Sequence, residues 1–111
     1  MNYIEINNHR IRRPAFLGVR ERIRSIPLDH GLITVSELKG VAKSLKHDHR
    51  IKHTDALFLV AFFYGHNAWA SLMAQATLAG NGEQYVNVKF FSRAKYLRSD
   101  DEVMPSEPQP A

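Results

Sequence analysis

Residues 53–79 read HTDALFLVAFFYGHNAWASLMAQATLA, and they decide the fold of this chain. They contain its most apolar run and no Lys or Arg, although basic residues flank them on both sides. Residues 56–64 would be apolar on every side of a helix, which predicts a central, buried helix. Thr54 is a typical N-cap for that helix, and Asp55 suits the positive end of its dipole. Gly65 is the natural residue to end it.

A further helix is predicted to follow at once, with Asn67 as its N-cap. Residues 80–82, Gly-Asn-Gly, then end this helix with a turn. Its apolar face comprises Ala68, Trp69, Leu72, Met73 and Ala76. We therefore interpret Trp69 as a core anchor in preference to a ring that stacks on a base.

Two amphipathic helices are predicted upstream of this stretch. The first covers residues 14–26, with Pro14 suited to its first turn and Pro27 placed to end it. The second begins after Thr34, because Glu37 stands three residues later in the spacing of a capping box. The apolar faces are Phe16, Val19, Ile23 and Ile26 in the first helix, and Val35, Leu38, Val41, Ala42 and Leu45 in the second.

Short strand patterns lie near both ends of the predicted domain. Residues 3–6 alternate between polar and apolar side chains, and Asn7-Asn8 forms a tight turn into residues 9–13. Residues 85–91 are rich in β-branched and aromatic side chains and predict a strand, for which residues 3–6 are the candidate partner. The predicted fold class is mainly α (α+β): a compact bundle of about four short helices with short strands near the N-terminus and at 85–91.

Length and composition restrict the class of protein. A chain of 111 residues that is 44% hydrophobic predicts one globular domain, which we assign to residues 1–98. Residues 99–111 form an acidic, Pro-containing tail that is predicted to be disordered. The chain has no Cys, which excludes disulfides and thiolate metal sites and fits a reducing compartment. No signal-peptide pattern begins the sequence, and its apolar run is too short to span a bilayer, so we expect a cytoplasmic protein.

Charge is distributed unevenly along the sequence. The formal net charge is +4, but the tail holds four of the acids and no base, so residues 1–98 have 15 bases against 7 acids and a net charge of +8. This excess indicates an acidic partner, most obviously nucleic acid, with general solubility as the alternative. Two basic sets would supply phosphate contacts: Arg10, Arg12, Arg13, Arg20, Arg22 and Arg24 in the first, and Lys39, Lys43, Lys46, Arg50 and Lys52 in the second.

Residues 38–74 carry a spaced pattern of helix residues. It runs Leu38-x3-Ala42-Lys43-x-Leu45, then His53-Thr54-x-Ala56-Leu57-x-Leu59-Val60-Ala61, then Gly65-x3-Trp69-x2-Leu72-x-Ala74. The pattern resembles a small helical module of bacterial and plasmid-borne proteins that are described as related to the glyoxalase superfamily. The usual module has Ser, an acidic residue and Asn where this chain has Thr54, Phe58 and Ala70. The resemblance implies a helical module in a mobile-element protein. It does not imply glyoxalase chemistry, because that activity belongs to a larger, metal-binding βαβββ fold.

The sequence shows no pattern typical of a catalytic site. It has no serine in a nucleophile elbow and no phosphate-cradling Gly loop, and its carboxylates before the tail are scattered. We therefore expect no enzymatic activity and predict no cofactor. A polar loop predicted at residues 47–53 contains His47, His49 and His53, whose imidazoles could bind Zn or Ni, with Asp48 as a further ligand. Solvated loop side chains are the favoured interpretation, since no Cys completes a closed tetrahedral site, and no metal site is assigned.

A helix-turn-helix is a competing interpretation of the central stretch. Ala61-x3-Gly65 followed by a helix has the spacing typical of that motif. The second helix would then read the bases, but Lys and Arg, the usual phosphate contacts, are absent between Lys52 and Lys89. Its polar groups are limited to Asn67, Ser71, Gln75 and Thr77. Base-specific reading by this helix is therefore not expected.

Two functions remain open at this point. The excess charge favours a small, basic, non-enzymatic DNA-binding or DNA-associated accessory or regulatory protein of a bacterial plasmid or phage. The alternative is a protein-binding adaptor or inhibitor that sets its basic surface against an acidic protein partner, with aromatic interface anchors. In either case strand edges near the termini could pair two chains into a homodimer, and no membrane partner is predicted. The candidate aromatic anchors are Tyr3, Tyr85, Phe90 and Tyr96.

Overall fold

The structure, a computed structural model, describes residues 2–93, so the predicted tail at 99–111 lies outside the described part. The helices are α1 (Arg13–Arg24), α2 (Val35–His49), α3 (His53–Phe63) and α4 (Trp69–Met73). The strands are β1 (Tyr3–Ile6), β2 (His9–Arg12), β3 (Leu32–Thr34), β4 (Thr77–Leu78) and β5 (Gln84–Asn87), and they form two small antiparallel sheets. The fold is therefore α+β, and the prediction of a mainly helical bundle is confirmed only in part. No helix within residues 2–93 is long and apolar enough to cross a membrane.

α3 lies at the centre of the core, as its sequence predicts. Ala56 and residues 58–63 are buried, and Leu57 is half-buried. α1, α2 and α4 each pack against this helix. The ring of Phe16 in α1 lies 5.1 Å from that of Phe63, centroid to centroid, in the tilted arrangement that aromatic pairs favour.

The C-terminal end of α3 is closed by a Schellman turn. The N–H of His66 donates to the carbonyl of Ala61 over 2.9 Å, and the N–H of Gly65 donates to that of Phe62 over 3.0 Å. Gly65 has φ +87°, so the prediction that it ends this helix is confirmed.

Residues 88–93 cross over the same helix end and supply further donors. The N–H of Phe91 donates to the carbonyl of Phe63 over 2.7 Å, and Nε of Arg93 donates to that of Phe62 over 3.0 Å. The guanidinium of Arg93 also lies 4.4 Å from the centroid of the Phe62 ring. A cation at this position complements the negative end of the helix dipole.

α2 begins with the predicted capping box. The N–H of Glu37 donates to Oγ1 of Thr34 over 3.0 Å, and the N–H of Thr34 donates to Oε1 of Glu37 over 3.3 Å. The helix continues to His49, so the prediction that the polar loop starts at residue 47 is wrong. The reason is tertiary: the ring of His49 packs on α1 at Gly18, where an added Cβ would lie 2.5 Å from Cε1 of the imidazole. Arg12 also holds this helix end, since its Nη2 donates to the carbonyl of His49 over 2.7 Å.

β1 and β2 form the predicted hairpin. Their register pairs Ile4 with Ile11, and both side chains are buried. Asn7 and Asn8 have φ values of 48° and 70°, the left-handed conformation that a two-residue type I′ turn requires.

The second sheet has the strand order β3-β5-β4. β5 pairs with Ile33 of β3 through Val86 and with Thr77 of β4 through Tyr85. The expected pairing of the C-terminal strand with residues 3–6 is therefore wrong. β3 and β4 were not predicted, because strands of three and two residues are too short to show alternation.

The two central helices begin differently from the prediction. α3 begins at His53, with Lys52 as its N-cap, so Thr54 does not cap it. The first turn instead meets the hairpin, where Nδ1 of His9 lies 2.7 Å from Oδ1 of Asp55.

α4 is much shorter than expected. It has five residues, its N-cap is Ala68, and Asn67 does not cap it. Thr77 and Leu78 leave the predicted helix because they pair with β5 as a strand. Tertiary pairing thus overrides the helical spacing of this segment.

Replacing Gly65 with Ala tests the turn that closes α3. The new Cβ would lie 3.0 Å from Cε1 of Phe91, and the alanine would have to adopt a left-handed backbone conformation. We therefore expect a loss of about 1–2 kcal/mol in the free energy of unfolding. Gly40→Ala in α2 is the matched control, because no atom beyond its own stretch of helix lies within 4 Å of the added Cβ. That control should gain about 1 kcal/mol from helix propensity. Urea unfolding measures both, and a Gly65→Ala protein as stable as the parent would contradict the turn.

Tyr64 carries a buried hydroxyl at the end of α3. The residue is 3% exposed, and its Oη has no hydrogen-bond partner within the described residues. Burial raises the pKa of Tyr64 from 10.0 to about 12, because the apolar surroundings disfavour the phenolate. The folded chain therefore retains this proton at pH values where the unfolded chain releases it.

Tyr64→Phe should be as stable as the parent at neutral pH, or more stable by up to about 1–2 kcal/mol, since it removes an unpaired buried hydroxyl. The parent's free energy of unfolding should fall between about pH 10 and pH 12, and the variant should lose that contribution to the slope. Tyr3→Phe removes an exposed hydroxyl instead and should stay within about 0.5 kcal/mol of the parent at neutral pH. Destabilisation by Tyr64→Phe at neutral pH would show that the hydroxyl is hydrogen-bonded.

Candidate functional site

The outer face of α2 carries a row of four cations, which we call the cationic row: Lys39, Lys43, Lys46 and Arg50. The spacing of the three lysines places them on one side of the helix, and Arg50, just beyond its end, lines a cavity together with Lys43 and Lys46. All four side chains are exposed. Arg50 is the C-cap of α2. From Lys39 to Arg50 the row extends over about 11 residues, or roughly 16 Å at 1.5 Å per residue. Lys52, also exposed, follows directly after the helix.

These cations are not neutralised locally. Among residues 2–93, none of the four cations of the row, nor Lys52, forms an ion pair. The two carboxylates of α2, Glu37 and Asp48, lie roughly 150–170° around the helix axis from the centre of the row, at about 100° per residue. The face is therefore a concentrated positive surface.

The predicted arginine set is differently placed. The Glu21 carboxylate pairs with both Arg20, at 2.6 Å, and Arg24. Arg22 lies 3.7 Å from Asp48. The structure thus separates the two predicted basic sets, and carboxylates offset much of the charge on α1.

The three remaining arginines of that set lie on or beside the hairpin. Arg10 lies 3.7 Å from Glu5, and Arg12 donates to the carbonyl of His49. Arg13 is half-buried, and its N–H donates to the carbonyl of Asn2 over 2.6 Å. These contacts anchor the hairpin and the start of α1, and they leave the cationic row as the most available basic surface.

An open groove runs beside the row. A cavity of about 450 Å³ lies between α2 and the residues that follow it. One wall consists of three lysines of the row, and the other contains His53 and Leu57 of α3 together with Trp69 of α4. A second cavity, of about 430 Å³, adjoins it through Lys43 and Lys46. The groove therefore combines lysine side chains with an aromatic and aliphatic wall.

Trp69 reaches this groove because of the turn after α3. The Schellman turn at Gly65 reverses the chain, and Ala68 is extended, with φ −159°. Trp69 then begins α4, half-buried, with part of its surface packed on the core and part lining the groove. The sequence interpretation of Trp69 as a core anchor is therefore incomplete. No local pattern could have placed it opposite lysines that precede it by 23 residues or more.

The three clustered histidines have separate surroundings. His47 lines the second cavity, His49 packs on Gly18, and His53 lines the groove. Within residues 2–93 no group of three or more His, Asp or Glu side chains is arranged to hold a metal ion.

The helix-turn-helix interpretation does not fit α4. Its five residues form little more than one turn, whereas a reading helix lies along the major groove. α4 therefore cannot serve as a reading helix in the major groove.

Comparisons of the chain with family models, with curated proteins and with solved structures give no match. The resemblance of residues 38–74 to plasmid-borne helical proteins accordingly stays a prediction.

Like charges at helical spacing have a measurable cost. Lys43 lies three and four residues from Lys46 and Lys39, so Lys43→Gln should raise the free energy of unfolding by about 0.4–1 kcal/mol at low ionic strength. The gain should fade in about 1 M salt, where the screening length is about 3 Å. Lys89→Gln, an exposed lysine outside α2, is the control and should change stability by less than about 0.5 kcal/mol. Denaturant unfolding at two salt concentrations decides the matter, and a destabilised Lys43→Gln protein would show that the amine has a structural partner.

Proposed function

We propose that this protein binds nucleic acid, with DNA as the predicted form, through the cationic row of α2, and that it acts as a small non-enzymatic accessory or regulatory protein. The observation that carries the proposal is the row itself: three lysines on one exposed helix face and Arg50 at the end of that helix, none of which forms an ion pair among residues 2–93. Ordinary solubility does not need charges concentrated in this way, since interspersed signs serve it equally well.

The chemistry of the row suits phosphates. Lysine amines are compact point charges that bind phosphate oxygens, and Arg50 can donate two parallel hydrogen bonds at the end of the row. Contacts of this type release counterions and do not depend on base sequence. The proposed binding is therefore sequence-tolerant and strongly dependent on salt.

The biological setting is the less direct part of the proposal. A role in a bacterial plasmid or phage rests on the resemblance of residues 38–74 to plasmid-borne proteins. A cytoplasmic location, where DNA is accessible, belongs to the same proposal.

A protein-binding adaptor is the second candidate, and the structure favours it less. Of the predicted aromatic anchors, Tyr3 is 43% exposed, but the guanidinium of Arg10 lies 4.1 Å from its ring centroid. Tyr85 is half-buried, and Phe90 stacks on Phe63 with 5.9 Å between centroids. Tyr96 lies outside the described residues. An acidic protein partner would therefore have to use the same cationic row.

Neutralising the three lysines of the row should abolish most of the salt-dependent binding. The triple variant Lys39→Gln, Lys43→Gln, Lys46→Gln should weaken binding to unrelated DNA sequences by similar factors and reduce the slope of log affinity against log salt by about 3. Electrophoretic shift or fluorescence anisotropy between about 50 and 200 mM salt measures both quantities.

A matched control removes the same charge elsewhere. The triple variant Arg10→Gln, Arg22→Gln, Arg24→Gln deletes three exposed cations that, unlike the lysines, are ion-paired. The two triple variants therefore have equal net charge. The control should keep most of the affinity. Equal losses in the two variants would mean that net charge alone acts, and no binding to DNA at low salt would refute the proposed function.

A further inference from the structure

The groove beside the cationic row has two walls of different chemistry. Lys39, Lys43 and Lys46 of α2 line one side, and Leu57 of α3 with Trp69 of α4 lines the other. A ligand that fills such a groove should carry negative charge on one edge and a flat apolar surface on the other. A nucleotide has this combination, since its phosphate is anionic and its base has an aromatic face.

We propose that this groove holds an unpaired base of a single-stranded nucleic acid against Trp69 while the lysines bind the adjoining phosphates. The inference rests on the proposed function and specifies which form of nucleic acid the protein prefers. Stacking on aromatic side chains is the usual way in which proteins hold unpaired bases, and it accepts every base because each has a π-face.

The geometry favours a single strand over a duplex. Inside a duplex both faces of a base are covered by its neighbours, so the base cannot stack on a protein ring without leaving the helix. The phosphates of a duplex can still contact the lysines, but its bases cannot stack on Trp69. The protein should therefore bind a single strand more tightly than a duplex of equal length.

The groove offers little that distinguishes one base from another. Among residues 2–93, no carboxylate or amide side chain lines it, and His53 is the single lining side chain that can accept a hydrogen bond. Bidentate recognition of a base edge normally uses Arg, Asn, Gln or a carboxylate. We therefore infer that the groove distinguishes single-stranded from double-stranded nucleic acid, and that it does not distinguish base sequences.

Trp69 also supplies the probe for the test, because the chain contains one Trp. The full chain is titrated with an oligothymidine of about a dozen nucleotides at low salt, and the tryptophan fluorescence is recorded. We expect saturable quenching by the single strand and none by a duplex of the same length. An abasic oligonucleotide with the same number of phosphates should bind about 5- to 100-fold more weakly and without quenching.

Substitutions of Trp69 distinguish the contribution of its aromatic face to binding from that of its apolar volume. Trp69→Phe retains an aromatic face and should keep most of the affinity for a labelled single strand in an anisotropy assay. Trp69→Leu retains apolar bulk only and should lose about 5- to 100-fold. Both variants should bind duplex as the parent does, which controls for damage to the cationic row.

The outcomes are distinguishable. Equal quenching by duplex and single strand, or by thymidine monophosphate and the oligonucleotide, would overturn the inference of a base held within a strand. Binding of single strand and duplex with equal affinity and no quenching would overturn the inference and leave the proposed function standing. No binding of either form at low salt would refute both. Should the Trp69 variants fail to fold, the comparison of abasic and intact oligonucleotides on the parent chain still tests whether the base contributes to binding.

Discussion

The structure depends on one constraint, which is that α3 is apolar on every side and has to be covered on every side. Burying this helix stabilises the fold, because the hydrophobic effect scales with the apolar area removed from water. α1, α2 and α4 pack on it, and residues 88–93 cross its end. The hairpin also contacts this helix, where the imidazole of His9 stacks on Phe58 at 4.1 Å between centroids.

This constraint also explains where the charge lies. The covering helices turn their apolar faces toward α3, so their cations are left on the outside. On α1 the arginines find carboxylate partners, and such exposed pairs add little to stability. On α2 the carboxylates stand on the far side of the helix, and the lysines remain unpaired among the described residues at a small cost in repulsion. A surface kept in that state is suited to an anionic partner.

Much of the local structure follows from the sequence alone. The capping box of α2, the end of α3 at Gly65 and the Asn7-Asn8 turn were all predictable, because each depends on residues within a few positions of one another. The strand pairing of β5, the shortness of α4 and the extension of α2 to His49 were not. Each of these depends on a contact between segments far apart in the chain, and such contacts override local propensity.

The candidate site divides in the same way. The sequence by itself determined that the chain has an excess of bases, that lysines recur along one face of a helix, and that residues 56–63 form a central, buried helix. Only the tertiary structure decided which basic set stays unpaired and that Trp69 faces the lysines across a groove. The physical reason is that helical spacing fixes the direction of a side chain relative to its own helix axis, whereas its neighbours depend on how the helices pack. That packing is set by the need to cover α3, and it brings residues 39–46 and Trp69 together.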